Sequence, residues 1–188
     1  MYIPKHFEQT NLEAMHELIR AYPFATLITS SSDGLDVNHI PIHLSQEPRP
    51  YGLLSGHVNR TNPVWQETAD VMKATVVFQG PHAYITPSWY ASKSEHGQVV
   101  PTWNYTVVHA HGSMRVINDA EWLKSHLELL TDQLEAPFPH PWSVADAPGD
   151  FTEKLLEHVV GIEITVDKLE GQWKVSQNRQ DRCGKRVV

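Results

Sequence analysis

The sequence predicts an α+β protein in which an antiparallel β-barrel carries helices at its periphery. Six or seven β-rich segments follow one another at the spacing of hairpins, and helical segments are inserted between them. The chain has 188 residues, a length typical of one domain that buries its core without disulfides or a structural metal. A single cysteine, Cys183, excludes an intrachain disulfide and agrees with a reducing compartment.

The first half of the chain has the patterns of a helix, three strands and a second, short helix. Thr10 and Glu13 have the spacing of a capping box, which predicts the start of the first helix, and Pro23 ends it. Asn62 before Pro63 predicts the start of the short helix. The expected strands are 25–30, 35–44 and 51–58, the first two joined by a hairpin turn at Asp33-Gly34.

The second half alternates strands with helices. A β-branched run predicts a strand at 74–78, which Gln79-Gly80-Pro81 should end before a shorter strand at 83–86. Asp119 should cap a helix whose core stripe is Leu123, Leu127, Leu130 and Leu134. The other expected elements are a loop at 87–101, a strand at 102–117, a proline-rich loop at 137–149, a short helix opened by Asp150 and Glu153, and a half-buried strand at 162–167.

Charge is divided unevenly along the chain. The net charge is −7, but residues 1–170 hold 10 Lys and Arg against 21 Asp and Glu, a balance of −11, whereas residues 171–188 carry +4. An acidic body disfavours broad attraction to nucleic acid, which confines DNA contact to the basic tail. No apolar run approaches the length of a membrane span and no signal-peptide pattern opens the chain, so we expect a cytoplasmic protein without membrane contact.

One candidate ligand site lies where a strand ends and a helix begins, at residues 56–63. Backbone amides there should converge with the positive end of the helix dipole behind them. Arg60 adds a charge able to bind two phosphate oxygens, and Asn59, Thr61 and Asn62 add neutral donors. A phosphate monoester fits this set, and an ordinary capped helix has the same pattern.

A second candidate site combines aromatic and amide side chains. Trp and Tyr at positions 89, 90, 103 and 105 offer flat faces for a fused aromatic ring, and Asn104 can donate and accept at a ring edge. The alternative is that Trp103 and Tyr105, two apart on one strand face, are barrel core.

The 12 histidines do not by their spacing indicate a metal centre. His39 and His43, and likewise His109 and His111, share strand faces, but no zinc motif supports a site, so we expect no bound metal. His39 and His57 are of interest because they flank the predicted phosphate locus. Motifs for a nucleophilic serine, a Rossmann site and a Walker site are also absent from the sequence.

Four segments together resemble the PaiB-type negative transcriptional regulators, FMN-binding-domain proteins related to the pyridoxamine phosphate oxidase-like split barrels. The segments are GHVNRTNPVW at 56–65, GPHAYITPSWYASK at 80–93, VPTWNYTVVHAHG at 100–112 and GQWKVSQNR at 171–179. They occur in the family's order. The resemblance implies an FMN-binding split barrel over residues 1–179, followed by a short basic tail at 180–188. It also implies a homodimer with flavin sites at the subunit interface.

The resemblance extends to site residues. The regions that hold the FMN phosphate in split-barrel relatives match Asn38, His39, His57, Asn59, Arg60, Thr61 and Asn62. The family's most distinctive blocks contain Ser88, Trp89, Tyr90, Lys93, Thr102, Trp103 and Asn104. The closing motif contains Lys174, Gln177 and Asn178, at an end of the barrel that approaches the ring from the partner subunit in related flavin oxidases.

The resemblance implies a bacterial regulator that represses genes of stress or developmental responses. A helix-turn-helix pattern is absent from the sequence, so regulation through a partner or a small molecule is as compatible with it as direct DNA reading. Two alternatives remain open: a flavin-dependent oxidoreductase, and a haem-binding or haem-degrading protein for which the histidines would supply axial ligands.

Overall fold

A computed structural model describes residues 1–31, 34–66, 72–90, 93–94 and 97–177. The strands are β1 (Glu8–Gln9), β2 (Phe24–Ser31), β3 (Gly34–Pro41), β4 (His43–Ser45), β5 (Leu53–Asn59), β6 (Met72–Ile85), β7 (Thr102–Ile117) and β8 (Val159–Lys174). The α-helices are α1 (Leu12–Ala21), α2 (Ala120–Glu135) and α3 (Gly149–Leu156). In the described helices, no segment is long and apolar enough to cross a bilayer.

The strands form one antiparallel sheet with the order β3-β2-β6-β7-β8-β5-β4, and β1 pairs with β8. Ladders between described residues leave this path open, because none joins β3 to β4. The predicted hairpin of β2 and β3 is present, but its ladder pairs Ser31 with Gly34, so Gly34 is the first residue of β3 and not part of the turn. Asp33 lies outside the described residues. The predicted combination of an antiparallel sheet with peripheral helices is confirmed.

The chain divides into two compact units. The first comprises residues 1–22, 78–109 and 170–188, and the second comprises residues 23–77 and 110–169. Buried side chains of the first unit include Phe7, Leu18, Ile19, Phe78 and Val108. Those of the second unit include Leu27, Leu54, Val76, Met114, Leu123, Ile162 and Ile164. Each unit therefore contains its own set of buried apolar residues.

The structure corrects two expectations about how the helices begin. The first helix is capped by Asn11, whose side chain accepts from the amide of Ala14, and not by Thr10. Asn62 does cap the element at Pro63, but within the described residues that element is a three-residue 3₁₀ turn, Pro63–Trp65, and not a helix. Such a turn is too short to supply a helix dipole.

Three further corrections concern the strands. The 74–78 and 83–86 segments belong to the single strand β6, because Gly80 is buried in it and does not form a turn. An added Cβ at Gly80 would lie 2.3 Å from Thr106 Oγ1 of β7, so the glycine allows close approach of the strands. In the predicted half-buried strand 162–167, Ile162, Ile164 and Val166 are buried and Thr165 and Asp167 are exposed, as the alternation predicts. Glu163 is the exception, because it is only 6% exposed. The described chain has eight strands instead of six or seven.

The predicted leucine stripe of α2 is only partly correct. Leu123 and Leu130 are buried, but Leu134 is exposed and His126 occupies the buried face instead. Glu163 stays buried because Arg115 donates to it from Nε at 2.7 Å and Trp122 donates from Nε1 at 3.0 Å. A paired carboxylate can lie in the interior, which alternation of apolar and charged residues in the sequence does not reveal.

Candidate functional site

The predicted phosphate residues all lie in the second unit, where a hydrogen bond between two of their side chains joins separate elements. Asn62 Nδ2 donates to Asn38 Oδ1 at 2.6 Å, which links the 3₁₀ turn to β3. Asn62 Oδ1 in turn accepts from the amide of Val64. Asn38 Nδ2 has no acceptor in the described part of the chain, so this amide pair presents neutral donors to a ligand.

The backbone amides of this locus are used within the protein. Thr61 N and Thr61 Oγ1 donate to Asn59 Oδ1 at 2.9 and 2.7 Å, and Asn62 N donates to Asn59 O at 2.9 Å. Arg60 N donates to His158 O at 2.8 Å. The expected convergence of free amides is therefore wrong, because the amides of Arg60, Thr61 and Asn62 already donate to carbonyl oxygens of Asn59 and His158.

The Arg60 guanidinium is held by three hydrogen bonds. Nε donates to Glu157 O at 2.8 Å, and Nη2 donates to Asn118 Oδ1 and Val159 O, each at 3.0 Å. This Nε–Nη2 edge is the fork with which arginine binds two oxygens at once. A two-point contact with phosphate is therefore not available in this conformation, and Nη1 is the part of the group that could reach a ligand.

His57 faces α2 and pairs with a second histidine that the sequence did not single out. The distance between His57 Nδ1 and His126 Nε2 is 3.2 Å. The Trp122 ring stacks on the His126 ring with centroids 5.1 Å apart. His126 Nδ1 is buried and has no partner among the described residues. Donation from His126 Nε2 to His57 Nδ1 leaves no buried N–H unpaired, which favours that tautomer.

Burial keeps this pair neutral. The pKa of His126 is lowered from 6.5 to about 4. The largest cause is desolvation by burial, and electrostatic repulsion from the imidazoles of His57 and His43 is the smaller cause. Desolvation also lowers the pKa of His57. The buried His126 was not predictable from the leucine stripe, although its spacing of four residues from Trp122 places both on one helix face.

His39 is separated from the other predicted phosphate residues. Asn38 and His39 are adjacent on β3 and therefore point to opposite faces of the strand. His39 Nδ1 lies 3.1 Å from Thr26 Oγ1, and His43 Nδ1 lies 2.9 Å from Gln133 Oε1. In the part of the chain that the structure describes, no three potential ligand side chains form a metal-binding group.

Three aromatic rings of the first unit, those of His82, Tyr84 and Trp103, form an exposed cluster. Trp103 is 52% exposed, and its ring lies 6.0 Å from that of Tyr84 and 5.9 Å from that of His82. Trp89 is also exposed. The interpretation of Trp103 as barrel core is therefore wrong, and its face is available to a planar ring.

The other predicted residues of the first unit make local contacts. Lys93 Nζ donates to Ser88 Oγ at 3.3 Å, and Lys174 Nζ lies 6.0 Å from the Tyr105 ring centroid. Ser176 Oγ donates to Asn104 Oδ1 at 3.0 Å, on the face of β7 opposite to Trp103. Three residues complete this set: Tyr90 is buried, Thr102 is half-buried, and Gln177 Nε2 donates to His6 O and Trp173 O. Asn178 and the 180–188 tail lie outside the described residues.

A cavity of about 390 Å³ in the second unit is lined by both apolar and polar side chains, and the sequence did not single it out as a site. Lys73 Nζ donates to Asp167 Oδ2 and Ser113 Oγ, each at 2.9 Å. Thr75 Oγ1 lies 3.0 Å from His111 Nδ1. Alternation along β6 and β7 could have placed these side chains on one sheet face, but no motif marks them.

Comparison with known proteins gives the family. The family described as "Putative FMN-binding domain" matches residues 1–168. The chain belongs to this FMN-binding-domain family. The Bacillus subtilis "Protease synthase and sporulation protein PAI 2" is 32% identical over 181 residues, which cover 96% of this chain and 84% of that protein. The resemblance to PaiB-type proteins is therefore confirmed.

Relatives of this FMN-binding-domain protein also occur in fungi. The Emericella nidulans protein AN0679 is 32% identical and covers 98% of this chain and 88% of its own length. The Saccharomyces cerevisiae protein YKL070W is 33% identical and covers 74% of this chain and 93% of its own length. A restriction to bacteria does not follow from the family.

Solved structures of low sequence identity share this fold. The FAD and haem binding protein of Mycobacterium smegmatis superposes with a TM-score of 0.65 at 18% identity, over 89% of this chain and 73% of that one. The conserved hypothetical protein Rv2991 of Mycobacterium tuberculosis also gives 0.65, at 9% identity, over 96% and 94%. The predicted fold class is confirmed.

Proposed function

We propose that this FMN-binding-domain protein binds FMN as a homodimer and acts as a negative regulator of transcription. The observation that supports FMN is the Asn38–Asn62 amide pair, in a chain of which residues 1–168 match an FMN-binding family. Asn38 Nδ2, the second hydrogen of Asn62 Nδ2 and Arg60 Nη1 are donors suited to phosphate oxygens. This donor set fits a phosphate monoester.

The exposed aromatic cluster fits the other part of the cofactor. Tyr84, Trp89 and Trp103 are each about half exposed and offer flat faces to an isoalloxazine ring. We assign this contact to a second copy of the chain, whose cluster would cover the ring of the flavin held by its partner. When bound, FMN supplies hydride or electron transfer, and the residues named here bind and orient it.

The homodimer is supported by an exposed apolar sheet face. Phe24 on β2 and Leu35 and Val37 on β3 are 70%, 74% and 55% exposed. These residues lie on the strand face opposite to buried Ala25 and Leu27. Val37→Glu should shift a dimer to monomer in sedimentation equilibrium, whereas a wild-type monomer would contradict this assignment.

FMN binding is tested by quenching of flavin fluorescence. Asn38→Asp adds a negative charge beside the phosphate and should weaken FMN binding at least about tenfold, while riboflavin, which lacks the phosphate, keeps its affinity. Asn11→Asp is the matched control, because an aspartate caps α1 equally well and should leave both ligands unaffected. Equal losses of affinity for FMN and riboflavin would show that the phosphate does not lie beside Asn38.

The same preparation distinguishes the alternative functions. A Soret band in the purified protein would indicate haem, and FMN-dependent consumption of NAD(P)H would indicate an oxidoreductase. A chain that binds neither FMN nor riboflavin would contradict the proposal itself.

The regulatory role is supported by the similarity to PAI 2 of Bacillus subtilis, whose name refers to protease synthesis and sporulation. Deletion of the gene should raise specific transcripts, and reintroduction should lower them again. Because residues 1–170 carry a balance of −11, we expect no specific gel shift of promoter DNA at about 150 mM salt. Unchanged transcripts after deletion would refute repression.

A further inference from the structure

The helical insertion between β7 and β8 carries an excess of negative charge equal to that of the whole protein. Residues 119–157 contain nine Asp and Glu against two Lys, a balance of −7, and the full chain has a net charge of −7. Asp132 on α2 and Asp150 on α3 are exposed members of this set. The insertion therefore presents a strongly acidic surface.

The same insertion exposes large apolar side chains. They are Leu129, Leu134, Phe138, Trp142, Phe151 and Leu155, each between 43% and 58% exposed. Apolar side chains with a charged surround are the composition of protein-binding surfaces. The described structure of the insertion leaves these side chains in solvent.

A groove provides a place for a partner side chain. A cavity of about 310 Å³ lies between α2, α3 and the 3₁₀ turn Val144–Asp146. Val144, Ala145 and Leu156 contribute apolar lining. Glu128 and Glu153 contribute carboxylates from the two helices, and Lys124 contributes one ammonium group, so the carboxylates are in excess. The groove can therefore hold an apolar side chain while adjacent carboxylates meet basic neighbours of that side chain.

We propose that this groove is the docking site for a basic amphipathic helix of a partner protein. The net charge of −7 on the insertion favours a basic partner. The insertion of a second copy carries the same charge of −7 and would be repelled, as would nucleic acid and anionic membranes. The proposal stands independently of flavin binding. Through this groove, a chain whose residues 1–170 are acidic would bind a basic DNA-binding protein.

The probe is a synthetic peptide of about 18 residues in which leucine and lysine follow the spacing of an amphipathic helix. It should bind the full chain with micromolar affinity at about 150 mM salt, measured by fluorescence anisotropy. A peptide of the same composition, scrambled so that leucine forms no face, should bind at least about tenfold more weakly.

Gly149 allows the groove to be filled without a backbone clash, since an added Cβ there meets nothing within 4 Å. Gly149→Phe should weaken binding of the patterned peptide at least about tenfold, and Gly149→Ala should leave it unchanged. Glu128→Lys with Glu153→Lys should give a comparable loss, whereas Glu17→Lys on α1 is a charge control without effect. Unaltered thermal unfolding of each variant shows that it is folded.

Three results would overturn the proposal. The first is equal binding of patterned and scrambled peptides, which would reduce the surface to nonspecific charge attraction. The second is unchanged binding by Gly149→Phe, which would place the peptide elsewhere. The third is evidence for a different occupant. Loss of self-association in Gly149→Phe would identify a second copy of the chain, and tighter binding of DNA or anionic vesicles than of the peptide would identify nucleic acid or a membrane.

Discussion

Acidification should destabilise this protein through the His57–His126 pair. The pKa of His126 is lowered by burial to about 4 from 6.5, so its stabilising effect is complete above pH 6.5 and is lost as pH falls from 6.5 through 4. The unfolded chain binds a proton in this interval that the folded chain does not. The loss for His126 alone is about 2 kcal/mol at pH 5 and about 3 kcal/mol below pH 4. The lowered pKa of His57 acts in the same direction.

Urea titrations of the wild type and of His126→Gln at pH 7.5 and pH 5 measure the part of the free energy of unfolding that depends on protonation of His126. The glutamine cannot be protonated, so the wild type should lose about 2 kcal/mol more than the variant between the two pH values. His140→Gln is the control, because His140 is exposed, and it should follow the wild type. Equal pH dependence of wild type and His126→Gln would refute the reasoning that the buried imidazole is neutral.

Three other substitutions test individual contacts. Gly161→Ala would place a Cβ 2.3 Å from the Trp122 ring and should cost about 2–3 kcal/mol in urea, against less than about 1 kcal/mol for Gly149→Ala. Glu163→Gln keeps an acceptor for Trp122 but leaves Arg115, whose side chain is 65% exposed, without its ion pair. We expect a loss of about 1–2 kcal/mol in the free energy of unfolding, largely abolished in an Arg115→Met background. Additive losses would contradict the pairing. Ser176 has a φ of 65° and donates a hydrogen bond to Asn104. Ser176→Gly relieves the backbone strain but removes this hydrogen bond, so the unfolding temperature should stay near that of the wild type, whereas Ser176→Val should lower the unfolding temperature clearly. Equal unfolding temperatures for the two variants would refute the left-handed conformation.

Local signals in the sequence predicted most of the elements, because caps, turns and periodicity depend on neighbouring residues. Thr102–Ile117 has the predicted bounds, and Asp119 caps α2 as expected. The prediction of a break at Gly80 is wrong because this glycine packs against Thr106, a residue 26 positions away that only strand pairing brings close. The burial of Glu163 likewise depends on Arg115 and Trp122, two partners distant in sequence.

The candidate site was less predictable than the fold. Residue types indicated Asn62 and the family resemblance added Asn38, but neither showed that Arg60 donates to Glu157 and Val159. Adjacent residues in a motif can lie on opposite strand faces, as Trp103 and Asn104 do, so a motif does not define one site. His126 and the Lys73 cavity carry no motif, and only tertiary structure places their side chains together.

The contact of Trp122 with Gly161 has a consequence for how this protein can change in evolution. The six-membered ring of Trp122 occupies the volume where any larger residue at 161 would place its Cβ. A side chain at 161 is therefore compatible with α2 in its present position only if position 122 becomes smaller in the same lineage. Across an alignment of this family we expect positions 122 and 161 to vary as a pair, with a large ring opposite glycine and a smaller residue opposite alanine or serine.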